Sequence, residues 1–412
     1  MEKSVFQIAR DSYKPVLPKG LRTAVSLKET GATTSVGDQD EIKKMFPNTY
    51  GMPIVEFIEG VEGGHDPMNV GVILSGGQAP GGHNVITGLF DTLKKLNPHN
   101  RLFGFLLGPE GLVEHKYIEI TESYVNDFRN TGGFDIIGSG RTKLETEDQF
   151  EKGYEILKYL GIKALVIIGG DDSNTNACVL AEYYKAKDYG VQVIGCPKTI
   201  DGDLKCEQIE TSFGFDTATK VYSGLIGNIE RDCNSARKYW HFVKLMGRSA
   251  SHIALECALQ CHPNMCLISE EVQEKDMSLN DVVDQICKVI AYRADRGMNY
   301  GVVLVPEGLI EFIPAIGRLI DELNDLLAFH GDEYKYLSTG EQREYILNHL
   351  SHKNKTTFET LPSDVARQLS LDRDPHGNVQ VSLIETEKLL SRMCTHRLAK
   401  WKIRKPASLL RI

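Results

Sequence analysis

Within the six residues Lys198-Thr199-Ile200-Asp201-Gly202-Asp203 the chain collects a lysine, a hydroxyl and two carboxylates, directly behind the apolar run Val191–Gly195. A carboxylate in that setting can take the proton from a hydroxyl nucleophile while the ammonium neutralises charge on a group in transfer. The same residues also describe a polar turn in which Thr199 and Asp203 hydrogen-bond locally. Two further segments share the context. Leu74-Ser75-Gly76-Gly77-Gln78-Ala79-Pro80-Gly81-Gly82-His83 follows an apolar run and opens a helical pattern. It either offers backbone N–H groups and a helix N-terminus to an anion or forms a tight structural turn, and it has neither P-loop nor dinucleotide spacing. Ile168-Gly169-Gly170-Asp171-Asp172-Ser173 places two carboxylates behind two glycines. Adjacent carboxylates repel unless something cationic lies between them, which suits Mg²⁺; the plainer reading is a cap for the next helix.

These segments need elements to hold them. From residue 70 onward, short β-rich runs alternate with helical stretches, the pattern of an α/β protein with parallel sheets. Strands are expected at Val70–Leu74, Leu102–Leu106, Ala164–Ile168, Val191–Gly195, Trp240–Met246, Met265–Ile268 and Gly301–Val305. Helices are expected at Asn84–Leu96, Glu147–Leu160, Thr175–Lys187, Thr217–Asp232, Ala250–Gln260 and Asn280–Arg296. Ligands of open α/β sheets bind beyond the carboxyl ends of strands, and all three segments fall there. The pattern divides the chain into a less regular N-terminal extension (1–65), a first α/β lobe (66–215) and a second (216–312). A helical insertion (313–380) and a C-terminal helix and tail (381–412) follow.

Bulk properties narrow the class. The chain has 412 residues, 41% hydrophobic and 25% charged, enough for two or three cores. A net charge of −9 with no long basic stripe excludes a general nucleic-acid surface, but not a small anionic substrate. The N-terminus has no apolar h-region and no run is long enough to span a bilayer, so a cytoplasmic protein is expected. The nine cysteines are scattered. Cys257, Cys261 and Cys266 lie close together without a paired C-x-x-C and are read as buried free thiols rather than metal ligands.

Taken in order, and with Lys244-Leu245-Met246-Gly247-Arg248 and Val305-Pro306-Glu307-Gly308 added, these segments resemble the phosphofructokinase family, densely over residues 66–312. The region around Leu371-Asp372-Arg373-Asp374 matches more loosely. The extension and insertion look like the long, pyrophosphate-dependent branch found in bacteria, protists and plants. The resemblance implies a phosphofructokinase-like fold of two Rossmann-like lobes and Mg²⁺-dependent phosphoryl transfer to fructose 6-phosphate. It implies that Gly76 contacts the phosphoryl donor, that Asp171 holds Mg²⁺, and that Arg141 neutralises the donor phosphate. Asp201 is then the general base toward the 1-hydroxyl, with Thr199 and Ile200 in the same substrate loop. Met246, Gly247, Arg248 and Glu307 contact the sugar phosphate. Lys238 and Tyr239 match a site shared between partners of a homo-oligomer, a dimer.

Donor choice rests on two positions. ATP-dependent members carry glycine where Asp172 and Lys198 stand here. A side chain at either place fills space that a nucleotide's α-phosphate needs, so the resemblance implies pyrophosphate. An ATP-dependent enzyme and a non-catalytic or regulatory subunit of the same fold are the alternatives. Long members continue to a glycine-tyrosine-rich motif that nothing in Lys402–Ile412 matches, so the chain is expected to be cut short, with weakened sugar-phosphate binding or poor solubility.

Overall fold

The computed structural model describes residues 3–18, 22, 24–61, 63–204, 206–334, 336–370, 379–401 and 409–411. The Leu371–Asp374 region and most of the tail, 402–408 and 412, lie outside the described residues. The chain forms two compact units, Met1–Thr199 with Cys206–Gly214, and Ile200–Lys205 with Phe215–Ile412. The passage from one unit to the other therefore falls inside the lysine–aspartate segment, at the Thr199–Ile200 peptide bond.

The first unit begins with more order than its sequence suggests. Helix Val5–Ser12 is closed by a reciprocal Ser4–Gln7 capping box. Strands β1 (Val25–Ala32) and β2 (Pro53–Glu59) then pair antiparallel, with helix Gln39–Met45 between them. Just before β2, Asn48 and Thr49 donate to the Glu182 carboxylate, tying this extension to helix Asp171–Ala186.

Strands β3 (Asn69–Leu74), β4 (Arg101–Phe105), β5 (Tyr117–Glu119), β6 (Ile162–Gly169) and β7 (Gln192–Pro197) form a sheet of order β5-β4-β3-β6-β7. All neighbours are parallel except β4 and β5. Strand periodicity splits the core: Val70, Val72, Leu74 and Val166 face one apolar layer, and Ile73, Leu165 and Ile167 the other. Because β3 connects outward to β4 on one side and is flanked by β6 on the other, the order reverses beside β3, where such sheets bind ligands.

The second unit holds a parallel sheet of order β11-β8-β10-β9, with β8 (Trp240–Leu245), β9 (Met265–Cys266), β10 (Gly301–Pro306) and β11 (Leu409–Arg411). Helices Phe215–Ala236 and His252–Cys261 cover one face through Ile226, Ile253 and Cys257. There Cys257 and Cys261 donate to the Thr219 and Ser223 carbonyls at 3.7 and 3.3 Å. The other face, lined by Trp240, Phe242, Val303 and Val305, shares one continuous core with the later helices. Those are Pro314–Tyr334, Thr339–His349, His352–Thr360, Ser363–Leu369 and Thr386–Lys400. Among its described residues the stretch read as an insertion adds no strand to the sheet, but it completes the core beneath it.

That continuity is testable. Phe358 is 1% exposed within the shared core. Phe358→Ala is expected to lower unfolding stability of the second unit by about 3–5 kcal/mol in urea titrations, the usual cost of a large buried cavity. A loss below about 1 kcal/mol would mean that these helices sit on the sheet without being part of its core.

Candidate active site

On the donor side of the first unit, β3 runs into Ser75, whose N–H donates to Ile168 O at 2.8 Å. Gly76 then takes φ +84°, a region that favours glycine, and donates its N–H to Gly140 O at 2.9 Å. Ser139 Oγ donates to Gly76 O at 3.1 Å. Helix Gly82–Leu96 opens with the His83 N–H donating to Gly133 O at 3.0 Å. The expectation that this loop presents its N–H groups to an anion is thus corrected at Gly76 and His83. Both are spent on the 133–140 segment, and what Gly76 offers a ligand is the close approach of a backbone without a side chain.

The second glycine pair follows β6. Helix Asp171–Ala186 begins four residues earlier than the sequence pattern placed it, with Gly170 at its N-cap. Asp171 and Asp172 therefore occupy its first turn rather than the cap, where the helix dipole favours anionic side chains, and both are exposed. Behind them Ser173 Oγ donates to Ser75 Oγ at 2.8 Å, and Asn174 Nδ2 donates to Gly169 O and Gly170 O, each at 2.8 Å. These bonds fix the two glycine loops to each other.

Lys198 closes the arrangement. Its N–H donates to Gly169 O at 2.8 Å, extending the β6–β7 ladder by one bond, and the residue is only 8% exposed. A Cβ built on Gly170 would lie 3.7 Å from Lys198 Nζ, and one on Gly76 3.9 Å from it. A Cβ on Gly77 would lie 3.5 Å from Arg141 Nη2. Two cations are thus aimed at positions from which side chains are missing. Thr199 N–H donates to the buried Ser212 Oγ at 2.8 Å, anchoring the end of this unit's share of the segment.

In the second unit Ile200 packs with Phe215 and Tyr222 in the core, leaving Asp201 half-buried. Gly202, at φ +74°, accepts a hydrogen bond from His252 Nδ1–H at 3.0 Å. Burial first, then Asp201, pushes the Glu307 carboxyl above its ordinary range. Tyr222 is raised by burial, then by Glu307 and Asp201. Asp201, Glu307 and Tyr222 therefore share one electrostatic neighbourhood. At the carboxyl end of β8, Gly247 takes φ +123° and accepts the Gly308 N–H at 3.2 Å. A side chain at Gly308 would run into the Arg248 backbone carbonyl, so the turns after β8 and β10 interlock only with glycine there. Met246 is 45% exposed and Arg248 is exposed. Lys244 Nζ, donating to Ser382 O and Ile384 O at 3.0 and 3.3 Å, anchors the strand end just before them.

Lys238 and Tyr239 are not brought to this place. They precede β8, whereas Met246–Arg248 follow it, so the length of the strand, roughly 20 Å, separates the two sets.

Comparison with known proteins matches residues 69–357 to the phosphofructokinase model. The chain belongs to the phosphofructokinase family. It is 64% identical over 402 residues to pyrophosphate–fructose 6-phosphate 1-phosphotransferase of Porphyromonas gingivalis, covering 97% of this chain and 73% of that one. It is 52% identical over 416 residues to the protein of the same name from Treponema pallidum (strain Nichols), covering 98% of this chain and 73% of that one. Among solved structures, pyrophosphate-dependent phosphofructokinase from Nitrosospira multiformis superposes with a TM-score of 0.51 at 20% identity. That match covers 58% of this chain and 60% of the other, a likeness of fold. This phosphofructokinase chain spans about three quarters of the length of the two curated relatives.

Some groups around the site escaped sequence reasoning. The Ser75–Ser173 bond and Ser212 carry no local signal, since a serine in a loop is ordinary. Glu311 had one: it lies one turn beyond Glu307. With Arg248, Asp321 and Asn324 it lines a cavity of about 290 Å³. Burial pushes its carboxyl up to about 7 against the pull of Arg248, with Asp321 and Glu307 adding to the rise. A raised folded-state carboxyl means that the native protein holds more protons than the unfolded chain between about 4.5 and 7. Stability from this group then falls as pH rises through that window. Glu311→Gln is expected to raise Tm at pH 8 and leave it unchanged at pH 4.5, checked by thermal unfolding at both; an equal shift at both would show that Glu311 does not titrate there.

Proposed function

We propose that this phosphofructokinase transfers a phosphoryl group from pyrophosphate to the 1-hydroxyl of fructose 6-phosphate, giving fructose 1,6-bisphosphate and phosphate. The observation that carries the reading is the placement of Lys198 Nζ, buried and within 4 Å of where side chains at Gly76 and Gly170 would begin. A compact dianionic group fits against glycine backbone beneath an ammonium; a nucleotide's α-phosphate needs the volume that the lysine fills. The names of the Porphyromonas and Treponema relatives give the same donor and acceptor.

The chain's own residues divide the work. Gly76 lets the donor approach the backbone, Arg141 and Lys198 neutralise its oxygens, and Asp172 disfavours any longer phosphate chain by charge. Asp201 accepts the proton of the 1-hydroxyl as that oxygen bonds to phosphorus and the bridging P–O bond breaks, releasing phosphate. Thr199 and Ile200 hold the loop that carries Asp201. Met246, Gly247 and Arg248 receive the sugar phosphate, and Glu307 accepts sugar hydroxyls. Asp171, an exposed oxygen ligand beside the glycine pair, suits Mg²⁺, which characteristically takes one or two carboxylates together with substrate phosphates. When bound there, Mg²⁺ supplies charge neutralisation at the donor oxygens. Positioning and charge carry most of the rate, as in phosphoryl transfer generally.

Lys238 and Tyr239, a strand's length from Arg248 in their own unit, serve the sugar-phosphate site of a partner subunit in a homodimer. Nine free thiols support a reducing, cytoplasmic setting, and no helix among the described residues is long and apolar enough to cross a membrane.

A coupled assay comparing donors tests the reading: turnover with pyrophosphate is expected and turnover with ATP is not. Dominant ATP activity would overturn the roles of Asp172 and Lys198. Asp201→Asn is expected to lower kcat by about 10²–10⁴, the usual contribution of a general base, with pyrophosphate affinity retained in a calorimetric titration. Unchanged turnover would remove Asp201 from the base role.

A further inference from the structure

We propose that His83 is a positioning residue for the donor site: as the neutral Nδ1–H tautomer it pins the segment leading to Arg141 onto the glycine loop, and it releases that segment when protonated. The proposal rests on the reading of pyrophosphate as donor.

His83 is 1% exposed, and each of its polar groups has a defined role. Its backbone N–H donates to Gly133 O. Nδ1 lies 2.6 Å from Thr131 Oγ1, which itself donates to Phe128 O at 2.6 Å. A hydroxyl has a single proton, and Thr131 has committed it to Phe128; the imidazole must therefore donate from Nδ1. Nε2 is then a bare acceptor, and the Ile136 N–H donates to it at 3.1 Å. The Thr131 hydroxyl at Nδ1 and the Ile136 N–H at Nε2 both select this neutral tautomer. Burial favours that neutral form and holds the imidazole below its ordinary range, with Asp135 pulling part of the way back.

Asp135 supplies the alternative. Its Oδ1 lies 3.0 Å from the same Nε2, and its side chain is 79% exposed. While Nε2 carries a lone pair, that approach is electrostatically unfavourable. Once Nε2 is protonated, the contact becomes an ion pair and the Ile136 N–H loses its acceptor. One nitrogen thus has two mutually exclusive partners, selected by a proton. The other groups facing the ring do not compete for it. On helix Glu122–Phe128, Phe128 meets the ring edge-on at 5.1 Å, and Tyr124 OH donates to Ile136 O at 2.6 Å. Arg129 is paired with Asp91 of His83's own helix at 2.7 Å.

The consequence reaches the donor because the pinned segment is short. Ile137 O accepts the Leu107 N–H, and Gly140 O accepts the Gly76 N–H; Arg141 follows directly. Freeing Ile136 loosens the base of the turn from which Arg141 reaches over Gly77.

The test uses the full chain, with KM for pyrophosphate and for fructose 6-phosphate measured from pH 5.5 to 8.5. Asparagine at 83 reproduces the Nδ1 donor but not the Nε2 acceptor, whereas glutamine can supply an acceptor there that does not titrate. His83→Asn is expected to raise KM for pyrophosphate about fivefold to tenfold, the scale of one buried unsatisfied donor, with KM for fructose 6-phosphate within about twofold. His83→Gln is expected to keep the neutral-pH KM and lose the acid-side rise in it. Asp135→Asn, which removes the partner of the charged form, is expected to move that rise to lower pH. Equal increases in both KM values, or an acid-side rise unchanged in His83→Gln, would overturn the proposal. Should the wild-type chain not use pyrophosphate, the donor reading fails. The ¹⁵N shifts of the His83 ring then decide the tautomer separately. Nδ1–H neutral at pH 7.5 with titration below that of free histidine supports the switch, and an Nε2–H tautomer sinks it.

Discussion

Holding Lys198 almost out of water at the carboxyl edge of a parallel sheet is the constraint on which the first unit depends. A buried cation is costly unless its surroundings are polar and arranged for it. The sheet provides the placement: the β6–β7 ladder ends at Gly169 and Pro197, and one further bond, Lys198 N–H to Gly169 O, sets where the lysine stem starts. The glycines follow as a requirement, because methyl groups at Gly76 or Gly170 would stand within 4 Å of Nζ and displace any anion from it. The Ser75–Ser173 bond and the two bonds from Asn174 keep those glycine loops from collapsing onto the charge they surround. Remove the lysine and the loops become unexplained; keep it and their composition is dictated.

The acceptor groups obey the opposite sign. Burial first, and then the neighbouring Asp201, raise the cost of ionising Glu307. Carboxylates held in this way are better hydrogen-bond acceptors for hydroxyls than partners for phosphate, while the exposed Arg248 lies just beyond the end of β8. The change of sign occurs along the chain between Lys198 and Asp201. Three residues of extended chain, Lys198 to Asp201, span at most about 11 Å between Cα atoms. The units divide at Thr199–Ile200, and both flanks are anchored, Thr199 to Ser212 and Ile200 into the apolar core around Phe215. Positional precision of this kind is where phosphoryl-transfer rates come from.

Much of this was legible in the residues because it depends on short-range rules. Strands β3, β6 and β10 are almost wholly apolar and could only be doubly covered strands, and the glycine clusters after β3 and β6 could only be strand-end loops. What escaped depends on long-range pairing. Helix Asp171–Ala186 starts earlier than its apolar periodicity because two aspartates gain from the helix dipole at its first turn, a gain invisible to hydrophobic pattern. The orientation of the first loop's N–H groups was unreadable because their acceptors, Gly133 O and Gly140 O, lie fifty or more residues away. Strand β5, three residues long and antiparallel, had too few residues to show any period. The helices within 313–380 read as an insertion because nothing local reveals that Phe358 or Leu369 shares a core with Trp240.

The net charge of −9 works against anionic substrates at long range, and distance resolves the conflict. At physiological ionic strength exposed charges are screened over about 8 Å, so the acidic residues spread over the surface exert little force at the glycine loops. Lys198 is screened far less, because it is buried, and Arg141 lies over Gly77 within contact range of the same loop. The local field is therefore set by a few cations, by the adjacent carboxylates of Asp171 and Asp172, and by backbone from which side chains are missing. A lysine on an open surface would contribute little; the same lysine, 8% exposed and close to two glycines, is where we propose that donor choice is made. A negative global charge repels non-specific polyanions, and selectivity is left to geometry within a few ångströms.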